Sequence, residues 1–168
     1  MKILETERIR IEKATLEDSS FFLELLNSPN WIEFIGDRGI KTEEDAADYI
    51  QKSLIDSYKE NGYGLYKMVL KKENKPIGIC GFLKRNYLKN ADIGFAILPE
   101  YEAKGYTYEA VKETMNYGIS SLQLNPILAV TISENTKSRN LLNKIGLKEI
   151  GMIKPNKSKV EFLLYSNE

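Results

Sequence analysis

The stretch Asp92-Ile-Gly-Phe-Ala-Ile-Leu-Pro99-Glu-Tyr-Glu-Ala-Lys-Gly105-Tyr-Thr-Tyr-Glu-Ala110 decides the reading of this chain. An apolar strand runs up to Pro99, and a short turn holding Ala103, Lys104 and Gly105 follows. The pattern then becomes helical, with Ala110, Val111, Met115, Gly118, Ile119 and Leu122 spaced for one buried face. A turn that feeds a helix N-terminus offers unpaired backbone N–H groups together with the positive end of the helix dipole. Phosphates are the usual occupants of such a place. The segment therefore predicts a phosphate-bearing ligand.

Around this stretch the bulk properties narrow the field. With 168 residues the chain is most simply one domain, residues 1–168, large enough to bury a core without staples. Its 24 basic and 24 acidic residues balance, so nothing draws it electrostatically to nucleic acid or to an acidic membrane. The single cysteine, Cys80, excludes an internal disulfide and suits a reducing cytoplasm. The opening residues lack the apolar run of a signal peptide, and no stretch nears the roughly 20 apolar residues of a membrane span. A cytoplasmic protein is expected. There is no histidine, which excludes every His-dependent triad and removes the commonest general base and metal ligand. No metal is expected.

Ile9 and Ile11 alternate with charged residues, which predicts a strand over about 7–13. Thr15 with Asp18, and Thr42 with Asp45, are helix-start signals. The first of these helices carries Phe21, Phe22, Leu25 and Leu26 and ends before Pro29; the second carries Ala46, Ala47, Ile50, Leu54 and Tyr58. Strands at about 64–71 and 76–84 form a hairpin across Lys72–Lys75. A strand at 91–98, a helix at about 105–121, a strand at 127–132, a helix capped by Asn135 and two strands at 147–153 and 159–165 complete the chain. This order predicts an α/β (α+β) fold: a mixed, mostly antiparallel central sheet of about seven strands with one crossover helix, flanked by about four helices.

Five segments carry a resemblance to a known family. They are Leu4-Glu-Thr-Glu-Arg-Ile-Arg-Ile, Pro76-Ile-Gly-Ile-Cys-Gly-Phe, Ala91-Asp-Ile-Gly-Phe-Ala-Ile-Leu-Pro-Glu-Tyr, Gly105-Tyr-Thr-Tyr-Glu-Ala and Asn135-Thr-Lys-Ser-Arg-Asn-Leu-Leu-Asn-Lys-Ile-Gly-Leu. In this order and spacing the chain resembles the GNAT superfamily of acetyl-CoA-dependent N-acetyltransferases, and within it the branch of the ribosomal-protein alanine N-acetyltransferases. The family's phosphate motif, Q/R-x-x-G-x-G/A, is only partly present. Glu102 stands at its first position, Ala103 replaces an internal glycine and Thr107 its last small residue; Gly105 keeps its place. A carboxylate at Glu102 has to turn away from a pyrophosphate or pair with Lys104.

The resemblance implies a transferase, an acyltransferase that moves an acetyl group from acetyl-CoA to a primary amine by direct attack in a ternary complex. The acceptor would be a protein N-terminus or a small molecule. It implies cofactor binding by Ala103, Lys104, Gly105, Tyr106, Thr107 and Asn135, and a backbone donor for the thioester oxygen at Ile97 or Leu98. Asp92 is the candidate base or water-orienting group, and Ser138 the candidate acid for the leaving thiolate. Trp31, Phe34 and Arg38 fall in a segment that borders the acceptor pocket in similar proteins. Similar proteins are often homodimers, and no feature here decides that. A different reading remains open: a catalytically weak acyl-CoA-binding or interaction module. A nucleotide-hydrolysing P-loop fits poorly, because Lys104 precedes Gly105 rather than following a glycine.

Overall fold

The structure is a computed structural model that describes residues 1–168. Eight strands form one sheet: β1 (Lys2–Glu5), β2 (Ile9–Glu12), β3 (Leu65–Leu70), β4 (Lys75–Leu83), β5 (Asp92–Ile97), β6 (Leu128–Thr131), β7 (Lys148–Ile153) and β8 (Phe162–Ser166). Their spatial order is β1-β2-β3-β4-β5-β6-β8-β7. Every neighbouring pair is antiparallel except β5–β6. The eighth strand, one more than expected, is β1. Its sequence Lys-Ile-Leu-Glu does not alternate, and it exists because β2 offers it a hairpin partner.

Helices α1 (Ser19–Leu26), α2 (Pro29–Phe34), α3 (Glu43–Tyr49), α4 (Asp56–Asn61), α5 (Tyr106–Ser120) and α6 (Thr136–Lys144) flank the sheet. A π-helical segment, Ile50–Ile55, joins α3 to α4, so the chain has five helical rods rather than the four expected. The additional one is α2, in a stretch expected to be loop; Pro29 occupies its first position, where a missing N–H costs nothing. The capping box at Thr42 formed as read. Its Oγ1 accepts from the Asp45 amide at 3.0 Å, and the Asp45 carboxylate accepts from the Thr42 amide at 3.1 Å. No helix is long and apolar enough to cross a membrane.

The central strand β4 is buried on both faces, with Ile77 through Phe82 all inside. One face meets α5. Cys80 touches the Thr114 hydroxyl at 3.4 Å, and Gly118 lies over the Phe82 ring. Burial pushes the Cys80 thiol up to about 12, so it behaves as core. On the opposite face Lys67 reaches Asp18, at the start of α1, at 2.8 Å. Of the apolar positions assigned to the buried face of α5, Ala110, Val111, Met115 and Gly118 are buried, but Ile119 is 49 % exposed. It lies one step round from Gly118, which already packs against the sheet.

A methyl group at Gly118 would sit 2.4 Å from Phe82 Cζ, closer than any real contact. Gly118→Ala should therefore destabilise the chain by about 1–3 kcal/mol, read from urea unfolding. An unchanged midpoint would mean that Phe82 swings aside without cost.

Candidate active site

Two parallel strands that diverge make the site. β5 and β6 share a single registered pair, Asp92 with Leu128, tied by the Leu128 amide donating to the Ala91 carbonyl at 3.0 Å. Beyond that pair the strands separate toward their carboxyl ends, where ligands of open α/β sheets bind. The other side of β5 is fully laddered to β4, and the Leu98 amide donates to the Ile77 carbonyl at 2.8 Å. Amides of an antiparallel strand alternate in direction. With the Leu98 N–H turned to β4, the N–H groups of Ile97 and Phe95 point into the opening. Of the two expected oxyanion donors, Ile97 is directed at the gap and Leu98 is committed elsewhere.

The loop after β5 closes one side of this opening. A 3-10 turn (Pro99–Tyr101) leads to exposed Ala103, Lys104 and Gly105, and α5 begins at Tyr106. Ala103 and Gly105 both take positive φ, +61° and +81°. These conformations shape the turn that leads into the helix N-terminus, whose first amides lack intrahelical partners. Thr107 is half-buried and Tyr106 buried, so Tyr106 serves packing while its backbone belongs to the loop.

Arg8, which the sequence reading left out, stands over that loop. Its guanidinium lies 4.4 Å from the Tyr106 ring centroid, Nη1 donates to the Lys104 carbonyl at 3.1 Å, and Nε donates to Glu109 Oε1 at 2.7 Å. The Arg8 amide and the Thr6 hydroxyl both donate to Glu109 Oε2, at 2.9 and 2.5 Å. Burial tends to raise the Glu109 carboxyl, but these bonds outweigh it and hold it below the ordinary range. More than a hundred residues separate these partners, so no local spacing announces them.

Glu102 turns away from the loop, as a carboxylate there must, but not toward Lys104. It accepts from Lys137 Nζ, in the first turn of α6, at 2.9 Å, and from the Asn30 amide group of α2. Lys104 instead lies 5.9 Å from the Tyr101 ring centroid. On the α6 side, Asn135 caps the helix by accepting from the Ser138 amide at 3.2 Å, and the Ser138 side chain is half-buried beside it.

Asp92 sits at the vertex of the opening. Both its oxygens accept from Arg85 Nε at 3.0 Å, and its side chain is only 1 % exposed. Burial pushes its carboxyl up, Arg85 pulls it down, and burial prevails, leaving it at about 6. Burial pushes up the hydroxyls of Tyr49 and Tyr87, and the charges of Arg85 and Arg38 act against it. Arg38, expected to border the acceptor, acts through its charge on Tyr49 and Tyr87. Phe34 is half-buried on α2, whereas Trp31 belongs to the core at 4 % exposure and its Nε1 has no partner. No three His, Cys, Asp or Glu side chains are grouped to hold a metal ion.

The acetyltransferase (GNAT) domain family matches residues 8–148. The chain belongs to the GNAT family. An uncharacterized N-acetyltransferase of Bacillus licheniformis, p20, is 30 % identical over 155 residues, covering 92 % of this chain and 86 % of its own length. The crystal structure of a GNAT-family acetyltransferase from Bacillus anthracis superposes with a TM-score of 0.80 at 27 % identity, covering 99 % of this chain and 97 % of the other. RimL, a ribosomal L7/L12 alpha-N-protein acetyltransferase in complex with coenzyme A, superposes at 0.84 with 14 % identity, over 99 % of this chain and 97 % of its own. At that identity it attests the fold alone.

This GNAT protein is an acetyl-CoA-dependent N-acetyltransferase. Its residues fit the cofactor: amides without intrahelical partners at a helix N-terminus, a guanidinium beside them and an unpaired strand edge leading inward. The cradle also depends on glycine. A Cβ at Gly105 would lie 3.3 Å from Arg8 Nη2, on a backbone at φ +81° that β-branched residues avoid. Gly105→Val should abolish acetyl-CoA binding in calorimetry while the far-UV circular dichroism of the fold persists. Unchanged affinity would remove this loop from the cofactor site.

Proposed function

We propose that this chain works as one acetyltransferase domain that acetylates a primary amine, a protein N-terminus or a small-molecule amine, by direct attack within a ternary complex. The observation that carries this reading is the opening between β5 and β6, with the Ile97 N–H directed into it and the Gly105 loop at its mouth. Bound acetyl-CoA would supply an activated thioester. The amides of residues 103–107 and the Arg8 guanidinium hold its phosphates, and the edge of β5 and Asn135 align its arm.

Each remaining demand falls on a residue of the chain. Ile97 N–H donates to the thioester oxygen as it gains negative charge. The incoming amine, with a pKa of about 8 for an α-amino group or about 10.4 for a lysine type, must shed a proton before it attacks. Asp92 accepts that proton. It lies five residues before Ile97, about 17 Å along an extended strand, so transfer runs through water rather than by contact. Ser138, at the start of α6, donates to the departing sulfur. Arg38 and Phe34 border the acceptor.

Below about pH 6 Asp92 is protonated and cannot accept. The logarithm of kcat/KM should then climb with slope one below that pH and level off between it and the pKa of the amine. Asp92→Asn should instead climb with slope one up to the pKa of the amine; an unaltered profile in that variant would exclude Asp92 as the acceptor. Ser138→Ala should lower kcat about tenfold or more with little change in KM. Wild-type kinetics would take Ser138 out of the mechanism.

A further inference from the structure

Glu102 departs from its family's motif, and it is also where three separate parts of the chain meet. It belongs to the loop after β5. Lys137 belongs to the first turn of α6, which follows β6. These are the two strands that diverge to form the cofactor opening, so the Glu102–Lys137 pair at 2.9 Å spans its mouth from one side to the other. The third part is α2. Asn30 donates to the remaining Glu102 oxygen, which ties this short helix, with Phe34 at its end, to the same carboxylate.

We infer that Glu102, Lys137 and Asn30 form a clasp that acetyl-CoA opens on entry, and that its opening frees α2, so that cofactor binding readies the acceptor side. The inference rests on the opening being the cofactor cleft. A diphosphate arriving at the Gly105 amides brings negative charge beside the Glu102 carboxylate and repels it. The same charge competes for Lys137, whose side chain is 82 % exposed and free to swing. An exposed ion pair of this kind is a weak fastening, well suited to exchange one anion for another. Once Lys137 turns to the phosphates and Glu102 retreats, Asn30 loses its anchor.

The adjacent residue makes α2 sensitive to that loss. Trp31 is buried, and its indole N–H has no hydrogen-bond partner, an arrangement that costs free energy in the closed position. With Asn30 released, nothing at Glu102 holds α2 against this cost. Cofactor entry then loosens the acceptor-side end of α2, which Trp31 still anchors in the core.

Trp31 is the only tryptophan in the chain and so reports on α2 directly. Coenzyme A binding should be measured by calorimetry, and Trp31 emission recorded with and without coenzyme A, for wild type and four variants. Glu102→Ala removes the clasp and should tighten binding about three- to tenfold; Glu102→Gln, which keeps an acceptor for Asn30 but no charge for the diphosphate to repel, should tighten it less and lose the Trp31 response. Lys137→Ala should weaken binding about fivefold, since it strips the cation and leaves the carboxylate. Asn30→Ala should show, without ligand, the Trp31 emission of the liganded wild type, and no further change on adding coenzyme A.

If Glu102 merely braced the loop, Glu102→Ala would weaken binding or leave it unchanged, and either result overturns the clasp. A Trp31 response equal in wild type and Asn30→Ala overturns the link to α2. Binding by Glu102→Ala alone would mean that the clasp shuts the cleft fully, which supports it. Absence of binding in wild type and every variant, with native circular dichroism, would defeat the cofactor-cleft reading and the clasp with it.

Discussion

Everything about the site depends on how little β5 and β6 hold each other. Each is secured elsewhere. β5 pairs with β4 over six residues, and β6 pairs with β8 over four, so the sheet consists of two laddered halves joined at Asp92–Leu128. A parallel pair requires a crossover, and α5 supplies it, packing on Cys80 and Phe82 of the first half before the chain enters the second. The cleft is therefore a wedge between two rigid arms. Its floor is set by one pair of residues, and the amide direction along β5 is set by β4. The N–H groups at Phe95 and Ile97 face the opening because the ladder on the far side has already claimed their neighbours.

A wedge of this kind places the electrostatics at its two ends. At the vertex, Asp92 keeps an elevated pKa even though Arg85 holds both its oxygens. At 1 % exposure the loss of hydration exceeds what one guanidinium returns, which is the usual balance for a buried pair. At the mouth the balance is reversed. Glu109 is held ionised by Thr6 and Arg8, near the positive end of α5, and Arg8 keeps its remaining nitrogens toward the loop. Negative charge that is buried is kept in check, and positive charge is left where a phosphate can meet it.

The parts of this arrangement that arise from short-range physics were legible in the sequence. The box at Thr42, the α5 start after Gly105 and the cap at Asn135 each depend on residues within four positions, and each formed where its pattern lay. Alternation and helical periodicity placed seven strands and four helices. β1 and α2 escaped because Lys2–Glu5 shows no clean alternation and six residues are too few for a helical period; β1 exists through its hairpin with β2, and α2 is tied by Asn30 to Glu102. The site was legible to the same degree. Gly105 and Asp92 stand where their segments put them, but Arg8 with Glu109, and Glu102 with Asn30 and Lys137, are pairs whose members lie 35 to 101 residues apart. Of the two outcomes open to Glu102, turning away or pairing with Lys104, the fold takes the first and pairs it with Lys137, which no local spacing could choose.

The altered loop bears on whether the cofactor site is intact. Ala103 occupies the left-handed region at φ +61°, where an L-residue with a Cβ costs roughly 1–2 kcal/mol. A loop under no demand would relax into another turn. This one is held from both sides: Arg8 fastens the Lys104 carbonyl, and Asn30 and Lys137 fasten Glu102. Strain persists only where the surroundings over-determine a conformation. The contacts that do so here come from the turn between β1 and β2, from α2 and from α6, three parts of the chain that converge on one short loop. Ala103 therefore holds a backbone conformation that glycine would take at lower free-energy cost. That favours a working acetyl-CoA site over a fold that has outlived one, and it locates the chain's individuality in how the loop is restrained rather than in the amides it presents.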